Sequence, residues 1–216
     1  MLVQIEGTDR VGKTTVSNEL ARLLERKGLK VKVIPFPNRK TDIGGIINKM
    51  LQLPKFDWNE AVVFQLLQTA NRLEFYNEIL EWEPKSDAIL IFDRYVLSGL
   101  VYGKLDNVPY KFLLQLQLLL PPPQLTVILQ ADEESLKRRL AEKEDKEIYE
   151  SLQHALRVQN AYVPIAREYL KMAEEKYKKD LSLLVVDNSD DKLNEAIETI
   201  YFTITQLLRD LTLSSK

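Results

Sequence analysis

A glycine-rich segment near the start of the chain, Gly7–Thr15, matches the pattern G-x-x-x-x-G-K-T. An apolar run at Leu2–Ile5 precedes it and a helical pattern follows, which is the context that this motif requires. The glycines allow the backbone N–H groups to point at phosphate oxygens, and the helix start adds a partial positive charge. Lys13 can then reach the β and γ phosphates of a nucleotide, and the Thr14 hydroxyl can bind Mg²⁺. We therefore predict a phosphate-binding loop rather than a chance match in a surface turn.

Size and composition fit a single domain, because the chain has 216 residues and 45% of them are hydrophobic. The formal net charge of -2 gives no overall positive field for nucleic acid. The absence of cysteine excludes thiolate metal sites, and the single histidine, His154, excludes a histidine cluster. The most apolar stretch, Phe112–Leu120, is too short to span a bilayer, and the chain begins directly in a predicted strand. We expect a cytoplasmic protein, which in a eukaryote can also be nuclear, with neither a membrane nor a nucleic acid as partner.

Strand and helix patterns alternate along the chain. Five apolar runs predict strands at Leu2–Glu6, Lys30–Pro35, Ala88–Phe92, Leu125–Leu129 and Leu181–Val186. Helices are predicted at Lys13–Lys27, Thr41–Leu51, Asp57 to about Trp82, Val96–Leu105, Pro109–Leu120, Asp132 to about Leu140, Tyr149–Lys179 and Asp190–Leu211. A capping pattern at Asp57–Glu60 opens the third of these helices, and Asp132 is the expected cap of the sixth. Pro164 is expected to break or kink its helix. The alternation predicts an α/β fold whose parallel sheet carries helices on both faces and binds ligands beyond the carboxyl ends of its strands.

Charged side chains directly follow two of these strands. Asp93 and Arg94 follow the third strand, where a carboxylate can hold Mg²⁺ and an arginine can bridge phosphates. Arg39 follows the second strand, in a turn stiffened by Pro37, and could bind a second phosphate group. An ion pair at a strand end and a solvated arginine are the common alternatives. Next to a phosphate-binding loop, we favour the functional interpretation for both.

Helical spacing aligns Phe64, Gln68 and Arg72, with Phe75 or Tyr76 one turn further on. Such a stripe usually belongs to the core, but its two polar members need partners if they are buried. A pocket for a planar base would explain both the rings and the polar groups.

A charged segment at 141–148 lies between two predicted helices. Segments of this kind are usually solvated loops, but in a phosphoryl-transfer enzyme one can act as a lid that closes over ATP and excludes water. We therefore predict one domain, residues 1–216, with a lid at about 141–148.

Four segments together resemble the thymidylate kinases, the enzymes that phosphorylate dTMP to dTDP with ATP. They are Gly7–Thr15, Phe36–Arg39, Ala70–Glu74 and Asp93–Gly99, and the resemblance runs collinearly over nearly the whole chain. The last two segments are far more specific than the phosphate-binding loop alone. The resemblance implies a P-loop nucleoside-monophosphate-kinase fold with a five-stranded parallel sheet, Mg²⁺ and ATP as cofactors, and a homodimer.

The resemblance also assigns residues to ATP and to catalysis. Lys13 and Thr14 would serve ATP and Mg²⁺, and Asp93 would lie close to the metal and the donor phosphates. Either Arg138 or Arg139 would stack on adenine. Lys13, Asp93 and Arg94 would be catalytic. The other ATP-binding residues belong to the loop: Gly7, Arg10, Val11, Gly12 and Thr15.

Arg10 is also the predicted catalytic arginine. The family has two kinds, with this arginine either in the phosphate-binding loop or in the lid. Segment 141–148 contains lysines but no arginine, whereas the loop contains Arg10. The chain therefore resembles the kind with the arginine in the loop.

For the acceptor, the resemblance implies a second set of residues. Arg39 and Arg94 would hold its phosphate, and Arg72 would read the carbonyl edge of thymine. Asp9 would lie near the sugar hydroxyl, and Tyr102 would crowd the 2′ position, where a ribonucleotide carries an extra hydroxyl. The remaining acceptor residues would be Phe36, Phe64, Gln68, Ser98, Gly99 and, from the lid side, Tyr149.

Three features depart from the family pattern. Gln68 stands where the family usually has an aromatic residue one helical turn before its arginine, which bears on base stacking. The stretch Tyr102–Pro123 is shorter and more apolar than expected, and Pro164 lies within a helix that is usually continuous.

Other functions fit parts of the sequence. A deoxynucleoside kinase shares the sheet, but its acceptor is a hydroxyl, so that it has less use for Arg39. A GTPase switch would use a D-x-x-G motif such as Asp42–Gly45, but that segment opens a predicted helix and no N-K-x-D motif is present. A catalytically inactive scaffold would not need Lys13, Asp93 and Arg94. We therefore favour phosphorylation of dTMP.

Overall fold

A parallel sheet forms the centre of the molecule. The computed structural model describes residues 1–53, 57–83, 87–142 and 151–214, with side chains up to Asp210. These residues form five strands: β1 (Leu2–Glu6), β2 (Lys30–Pro35), β3 (Ala88–Asp93), β4 (Leu125–Gln130) and β5 (Ser182–Asp187). Their order across the sheet is β2-β3-β1-β4-β5, and every neighbouring pair is parallel. The predicted fold class and sheet are confirmed.

Helices cover both faces of this sheet. Within the described residues they are α1 (Lys13–Arg26), α2 (Asp42–Met50), α3 (Trp58–Leu73), α4 (Tyr76–Trp82), α5 (Val96–Leu105), α6 (Tyr110–Gln117), α7 (Glu133–Ala141), α8 (Leu152–Tyr177) and α9 (Leu193–Ser214). None of the helices in this part of the chain is long and apolar enough to cross a membrane.

The side chains of each strand alternate between two apolar cores, as a strand buried on both faces requires. Leu90 and Phe92 of β3 point into the core that contains residues of α3, α5 and α8. Ile89 and Ile91 point into the opposite core, with residues of α1 and α9. In β1, Leu2 belongs to the first core and Val3 to the second, so Gln4 and Glu6 face α5 and α8.

The sheet brings the predicted functional segments to one edge. β1 lies between β3 and β4, with Ile5 opposite Asp93 and Glu6 opposite Ile128. The backbone N–H of Arg94 donates to the carbonyl of Ile5 at 3.0 Å, just before the glycine-rich loop. The segments after β1 and β3 are thus neighbours although about 90 residues separate them in the sequence.

The predicted long helix from Asp57 to about Trp82 is wrong, because the structure divides it into α3 and α4. Asp57 caps α3 with the expected capping box, in which Asp57 and Glu60 accept each other's backbone N–H groups. The last turn of α3 tightens where the N–H of Phe75 donates to Arg72, three residues back. The Phe75 ring packs edge-on against Phe36, with centroids 5.5 Å apart, and α4 starts at the next residue, Tyr76.

Pro164 does not break its helix, because α8 continues on both sides of it. Proline removes one helical hydrogen bond and costs about 3 kcal/mol. The buried side chains of Tyr162, Ile165 and Tyr169 flank it, and each stabilises the packed helix by about 1.5–3 kcal/mol. Their burial offsets the cost of the proline.

The helix predicted at Pro109–Leu120 is shorter in the structure, where α6 ends at Gln117.

Candidate functional site

A cleft of about 1100 Å³ lies at the carboxyl ends of the strands. It brings together most of the residues that the sequence predicts for the site: Asp9, Arg10, Gly12, Lys13, Thr14, Thr15, Phe36, Arg39, Phe64, Gln68, Arg72, Asp93, Arg94, Ser98, Gly99, Tyr102 and Arg139. Gly7, Val11 and Arg138 are described but do not line it. Tyr149 and most of the predicted lid lie outside the described residues.

The glycine-rich loop joins β1 to α1 and leaves the start of that helix open. Gly12 precedes α1 with a φ of 98°, a conformation that glycine adopts without strain. A Cβ at this position would also lie 2.5 Å from Nδ2 of Asn188. Among the described residues, no side chain caps the helix and none in its first turn is acidic. The free N–H groups and the helix dipole therefore favour a bound anion here.

Lys13, the first residue of α1, is almost completely buried beside the loop. Its Nζ donates a 2.6 Å hydrogen bond to the carbonyl of Thr8, which folds the side chain back along the loop. The pKa of Lys13 is lowered to about 8. Burial is the main cause and the nearby Arg94 acts in the same direction, whereas Asp9, Asp93 and Glu6 act in the opposite direction. A phosphate in the cleft would stabilise the charged form.

Thr14 and Asp93 form a pair of oxygen groups at the base of the cleft. The Thr14 hydroxyl donates to Oδ2 of Asp93 at 2.6 Å. Within the described residues, no three His, Cys, Asp or Glu side chains form a metal-binding group. Mg²⁺ commonly uses one or two protein oxygens and completes its shell with water and phosphate oxygens. The pair fits that mode of binding.

Arg94, Asp9 and Tyr102 form one charged cluster. Arg94 makes an ion pair with Asp9 and donates to the carbonyl of Gly7 at 3.3 Å. The Tyr102 hydroxyl donates to the other Asp9 oxygen at 3.0 Å. Burial raises the pKa of Asp9, but Arg94 and Lys13 outweigh this and hold the pKa below its ordinary value. Asp9 therefore stays ionised at neutral pH and fixes both partners.

Arg39 stands on a loop that α3 holds in place. Oδ1 of the buried Asn71 accepts the backbone N–H of Asn38 at 2.7 Å, and its Nδ2 donates to Thr41 at 2.9 Å and Glu74 at 2.8 Å. The bonds to Asn38 and Thr41 link the loop after β2 to α3, and the bond to Glu74 at the end of α3 orients the Asn71 amide. The network supports the backbone on either side of Arg39, as the rigid turn predicted from Pro37 requires.

One face of α3 points into the cleft. Phe64, Gln68 and Arg72 all lie on it, and all three side chains are buried by at least nine-tenths. Burial lowers the pKa of Arg72 to about 10, and its Nε has no hydrogen-bond partner among the described residues. Its Nη1 donates to Oε1 of Gln117 at 3.3 Å. Arg72 also lines the cleft, so a polar ligand there can accept from its guanidinium.

Gly99 allows α5 to approach this guanidinium closely. A Cβ added to it would lie 2.6 Å from Nε2 of Gln117 and 3.1 Å from Nη1 of Arg72. A larger residue at Gly99 would displace Arg72 or Gln117, which explains why glycine is placed here.

The two arginines predicted for adenine have different surroundings. Arg139 lines the cleft and donates to the carbonyls of Val11 at 3.3 Å and Asn188 at 2.8 Å. Arg138 does not line the cleft; 63% of its side chain is exposed, and it pairs with Asp190 at the cleft rim.

Sequence reasoning missed three buried polar residues that hold the site together: Glu6, Gln117 and Asn188. Glu6 ends β1, Gln117 contacts Arg72, and Nδ2 of Asn188 donates to the carbonyl of Val11 at 2.8 Å. Two of them had a usable signal in the sequence. Asn188 directly follows β5, at the edge where a parallel sheet binds its ligands. Gln4 and Glu6 put polar groups at alternate positions of an otherwise apolar strand, so that one of its faces needs polar partners.

Comparisons with known proteins agree with this geometry. Residues 5–186 match the model of the thymidylate kinase family. A probable thymidylate kinase from Pyrobaculum calidifontis is 32% identical over 173 residues, which cover 77% of this chain and 83% of the relative. The human thymidylate kinase is 35% identical over 130 residues, 60% of each chain. The solved structure of thymidylate kinase from Candida albicans superposes with a TM-score of 0.73 at 26% identity, covering 95% of this chain and 91% of that one.

Proposed function

The chain belongs to the thymidylate kinase family, and from its cleft we propose which residues bind the two substrates. The protein transfers a phosphoryl group from ATP to dTMP, which gives ADP and dTDP. One observation carries the assignment of residues: a single cleft is lined by the phosphate-binding loop with Lys13 and by two further arginines, Arg39 and Arg94. Two phosphate-bearing substrates need such a double set of positive groups.

ATP binds with its phosphates over the open start of α1. The loop N–H groups and Lys13 hold the phosphate oxygens, since this is where the helix dipole and the ammonium group act together. Thr14 and Asp93 hold Mg²⁺, which neutralises charge on the phosphates when it is bound. Arg139 stacks on adenine, because it lines the cleft and Arg138 does not.

The phosphate of dTMP binds to Arg39 and Arg94. Asp9 and Tyr102 hold the Arg94 side chain, and both lie where the sugar would pass. Asp9 accepts from the sugar hydroxyl, and Tyr102 leaves no room for a 2′ hydroxyl. The acceptor phosphate is thereby held in line with the transferred group, which is the main requirement of this reaction.

Thymine binds along the cleft face of α3. Arg72 lines the cleft and donates to its carbonyl edge through the guanidinium. Gln68 and Phe64 lie against the ring, and Phe36, Ser98 and Gly99 complete the pocket.

Arg10 stabilises the phosphoryl group during transfer. It lies on the phosphate-binding loop and lines the cleft. The predicted lid at about 141–148, together with Tyr149, covers the substrates as part of the same single domain. A cytoplasmic location and the absence of a nucleic-acid partner stay predictions.

A coupled assay for ADP tests the choice of acceptor. Saturating ATP and Mg²⁺ are supplied with either dTMP or thymidine. The proposal expects turnover with dTMP and less than about 1% of it with thymidine, because the nucleoside brings no phosphate to Arg39 and Arg94. Faster turnover of thymidine would assign the protein to the deoxynucleoside kinases instead.

A further inference from the structure

Glu6 is a fully buried carboxylate directly before the phosphate-binding loop. An ionised carboxylate in such a place costs several kcal/mol unless donors surround it. Its Oε1 accepts the backbone N–H groups of Tyr95 at 2.7 Å and Ser98 at 3.1 Å. Its Oε2 accepts the hydroxyls of Ser98 at 2.6 Å and Tyr162 at 3.2 Å. Four donors from two other elements therefore converge on one side chain.

Two of these donors are the free N–H groups at the start of α5. The first amides of a helix have no partner within the helix, and a negative charge beside them is favourable. Among the described residues, α5 has no side-chain cap at its own N-cap residue, Tyr95, and no acidic residue in its first turn. Glu6 acts as its cap from the neighbouring strand, across about 90 residues of sequence.

Arg94 depends on the same contacts. It has a φ of 67°, a left-handed conformation that costs a non-glycine residue about 1–2 kcal/mol unless its surroundings hold it. The next residue, Tyr95, is fixed by Glu6. The Ser98 hydroxyl donates to Glu6 and in turn accepts from Nη1 of Arg94 at 3.3 Å. Glu6 thus supports both the backbone after Arg94 and a partner of its guanidinium.

We propose that Glu6 is the positioning residue for Arg94, and that the exact reach of its carboxylate aims the guanidinium at the acceptor phosphate. Glu6 does not line the cleft and touches neither substrate. The inference rests on the proposed assignment of Arg94 to the phosphate of dTMP. It makes the position of the two Glu6 oxygens, rather than their charge, the property that matters for turnover.

Two variants separate position from charge. In Glu6→Gln one oxygen still accepts both backbone N–H groups, and the amide NH₂ can donate to Ser98, so that kcat and the KM for dTMP change by less than about threefold. In Glu6→Asp the charge stays, but the oxygens withdraw by one methylene. We expect this variant to lose between about tenfold and about 100-fold in kcat/KM for dTMP, with a smaller change in the KM for ATP.

Gln4→Asn is the matched control for Glu6→Asp. Gln4 lies on the same strand and the same face, is equally buried, and donates to Thr126 at 2.8 Å. Its hydrogen bond runs to β4, so shortening it by one methylene disturbs the same face of β1 but leaves the four donors to Glu6 in place. The kinetic constants of folded Gln4→Asn are expected to stay within about twofold of the wild type. Equal losses in Glu6→Asp and Gln4→Asn, or losses in Glu6→Gln as large as in Glu6→Asp, would overturn the proposal.

Tyr162→Phe tests the proposal if Glu6→Asp does not fold. This change removes one donor to Glu6 and leaves the ring in place, and Tyr162 does not line the cleft. Tyr169→Phe, two turns along the same helix and equally buried, is its control. We expect Tyr162→Phe to raise the KM for dTMP by about twofold to fivefold and Tyr169→Phe to leave it unchanged. No difference between them would count against a positioning role for Glu6.

A double-mutant cycle with Arg94→Met identifies the residue through which Glu6 acts. If Glu6 works through Arg94, Glu6→Asp costs less than about twofold more once the guanidinium is gone. Independent, multiplicative losses would overturn the proposal. Full activity of Arg94→Met alone would instead remove the proposed role of Arg94, and inactivity of the wild type on dTMP would remove the proposed acceptor.

Discussion

The Thr14 hydroxyl donates a 2.6 Å hydrogen bond to the carboxylate of Asp93. Thr14 stands in the first turn of α1, and Asp93 is the last residue of β3. The bond joins the helix after the phosphate-binding loop to the strand beside it, so that both oxygens of the proposed Mg²⁺ site are in place before the ion binds. A site assembled in advance loses less free energy on ordering when it binds.

Replacing Asp93 by Asn is expected to lower kcat/KM about 100-fold or more and to raise the Mg²⁺ concentration for half-maximal activity. The amide keeps a hydrogen bond to Thr14 but loses the charge that holds the cation. Asp87→Asn is the control, because Asp87 lies just before the opposite end of the same strand and pairs with Lys30 at the surface. A Mg²⁺ titration of the steady-state rate measures both. An unchanged Mg²⁺ requirement in Asp93→Asn would exclude Asp93 as a ligand.

ATP binding is expected to take up a proton above neutral pH through Lys13. With a pKa of about 8 in the free protein, Lys13 is charged at pH 7 and mostly neutral at about pH 9. Bound phosphates stabilise the charged form and raise this pKa, so that the uptake grows from about pH 7 to about pH 9. Calorimetry in buffers of different ionisation enthalpy measures the number of protons. Lys13→Met should remove the increase, and an uptake that stays the same in this variant would assign the proton to another group.

Arg10→Gly is expected to reduce turnover on the order of 10³-fold, by analogy with arginine fingers. Arg10 has a φ of 64°, which glycine adopts readily, so the loop keeps its shape and the loss reports the missing guanidinium. Lys143→Ala and Lys146→Ala are expected to have small effects. Single-turnover rates compare the three variants. The reverse pattern would place the catalytic cation in the predicted lid.

The strands could be predicted from the sequence almost to the residue, because each is a short apolar run between turn signals. Local chemistry also located the capping box at Asp57 and the helix cap at Asp132. The break between α3 and α4 could not be predicted, since it depends on Phe75 meeting Phe36, a contact made only in the folded protein. The continuity of α8 through Pro164 could not be predicted for the same reason: the cost of the proline is local, and the burial that offsets it comes from other elements.

The residues of the site also fall into those that the sequence could predict and those that it could not. Motif residues such as Lys13 and Arg94 could be found because their spacing is short and their chemistry is specific. Gln117 could not, because it acts on a residue far away in the sequence, Arg72. Asn188 follows the last strand, at the edge of the sheet where ligands are expected, but its contact with Val11 forms only in the folded protein. A lone buried amide has no sequence pattern that separates it from a solvated one.

A two-fold dimer is expected to form through α3. Val63, Leu66 and Leu73 lie along one side of this helix and are at least 38% exposed. The sequence also offers the apolar stretch Phe112–Leu120 as an interface, but most of its side chains are buried or half-buried within the chain. An exposed apolar stripe of this kind marks an interaction surface. Light scattering at micromolar concentration should give twice the mass of the chain.

Leu66→Glu tests this surface, because two charges at a two-fold interface would be buried without partners and should shift the protein to monomer. Phe202→Glu is the control. Phe202 is 60% exposed on α9, which packs against the other face of the sheet, and its replacement should leave the mass unchanged. A monomer for the wild type, or a dimer for Leu66→Glu, would contradict the proposed surface.

Gln68→Phe is expected to lower the KM for dTMP by up to about tenfold. Gln68 lines the cleft one helical turn before Arg72, so its side chain lies beside the proposed base. An aromatic ring in this place would stack on thymine, a contact worth about 1–3 kcal/mol, whereas a glutamine amide lies against the ring without a π-face. The same lack of a ring makes the natural pocket more permissive, and a panel of nucleoside monophosphates should reveal a narrower acceptor range in the variant.

The contribution of Phe64 determines how far Gln68→Phe lowers the KM for dTMP. It lies one turn before Gln68, is buried and lines the same cleft, so it can supply part of the missing stack. Phe64→Ala should then raise the KM for dTMP, and Gln68→Phe should restore part of the loss in the double variant. Since only 9% of Gln68 is exposed, the larger ring must fit at the edge of the cleft, and thermal unfolding checks that the fold is kept. An unchanged or higher KM in folded Gln68→Phe would mean that the amide makes a specific contact with the base that is worth more than stacking.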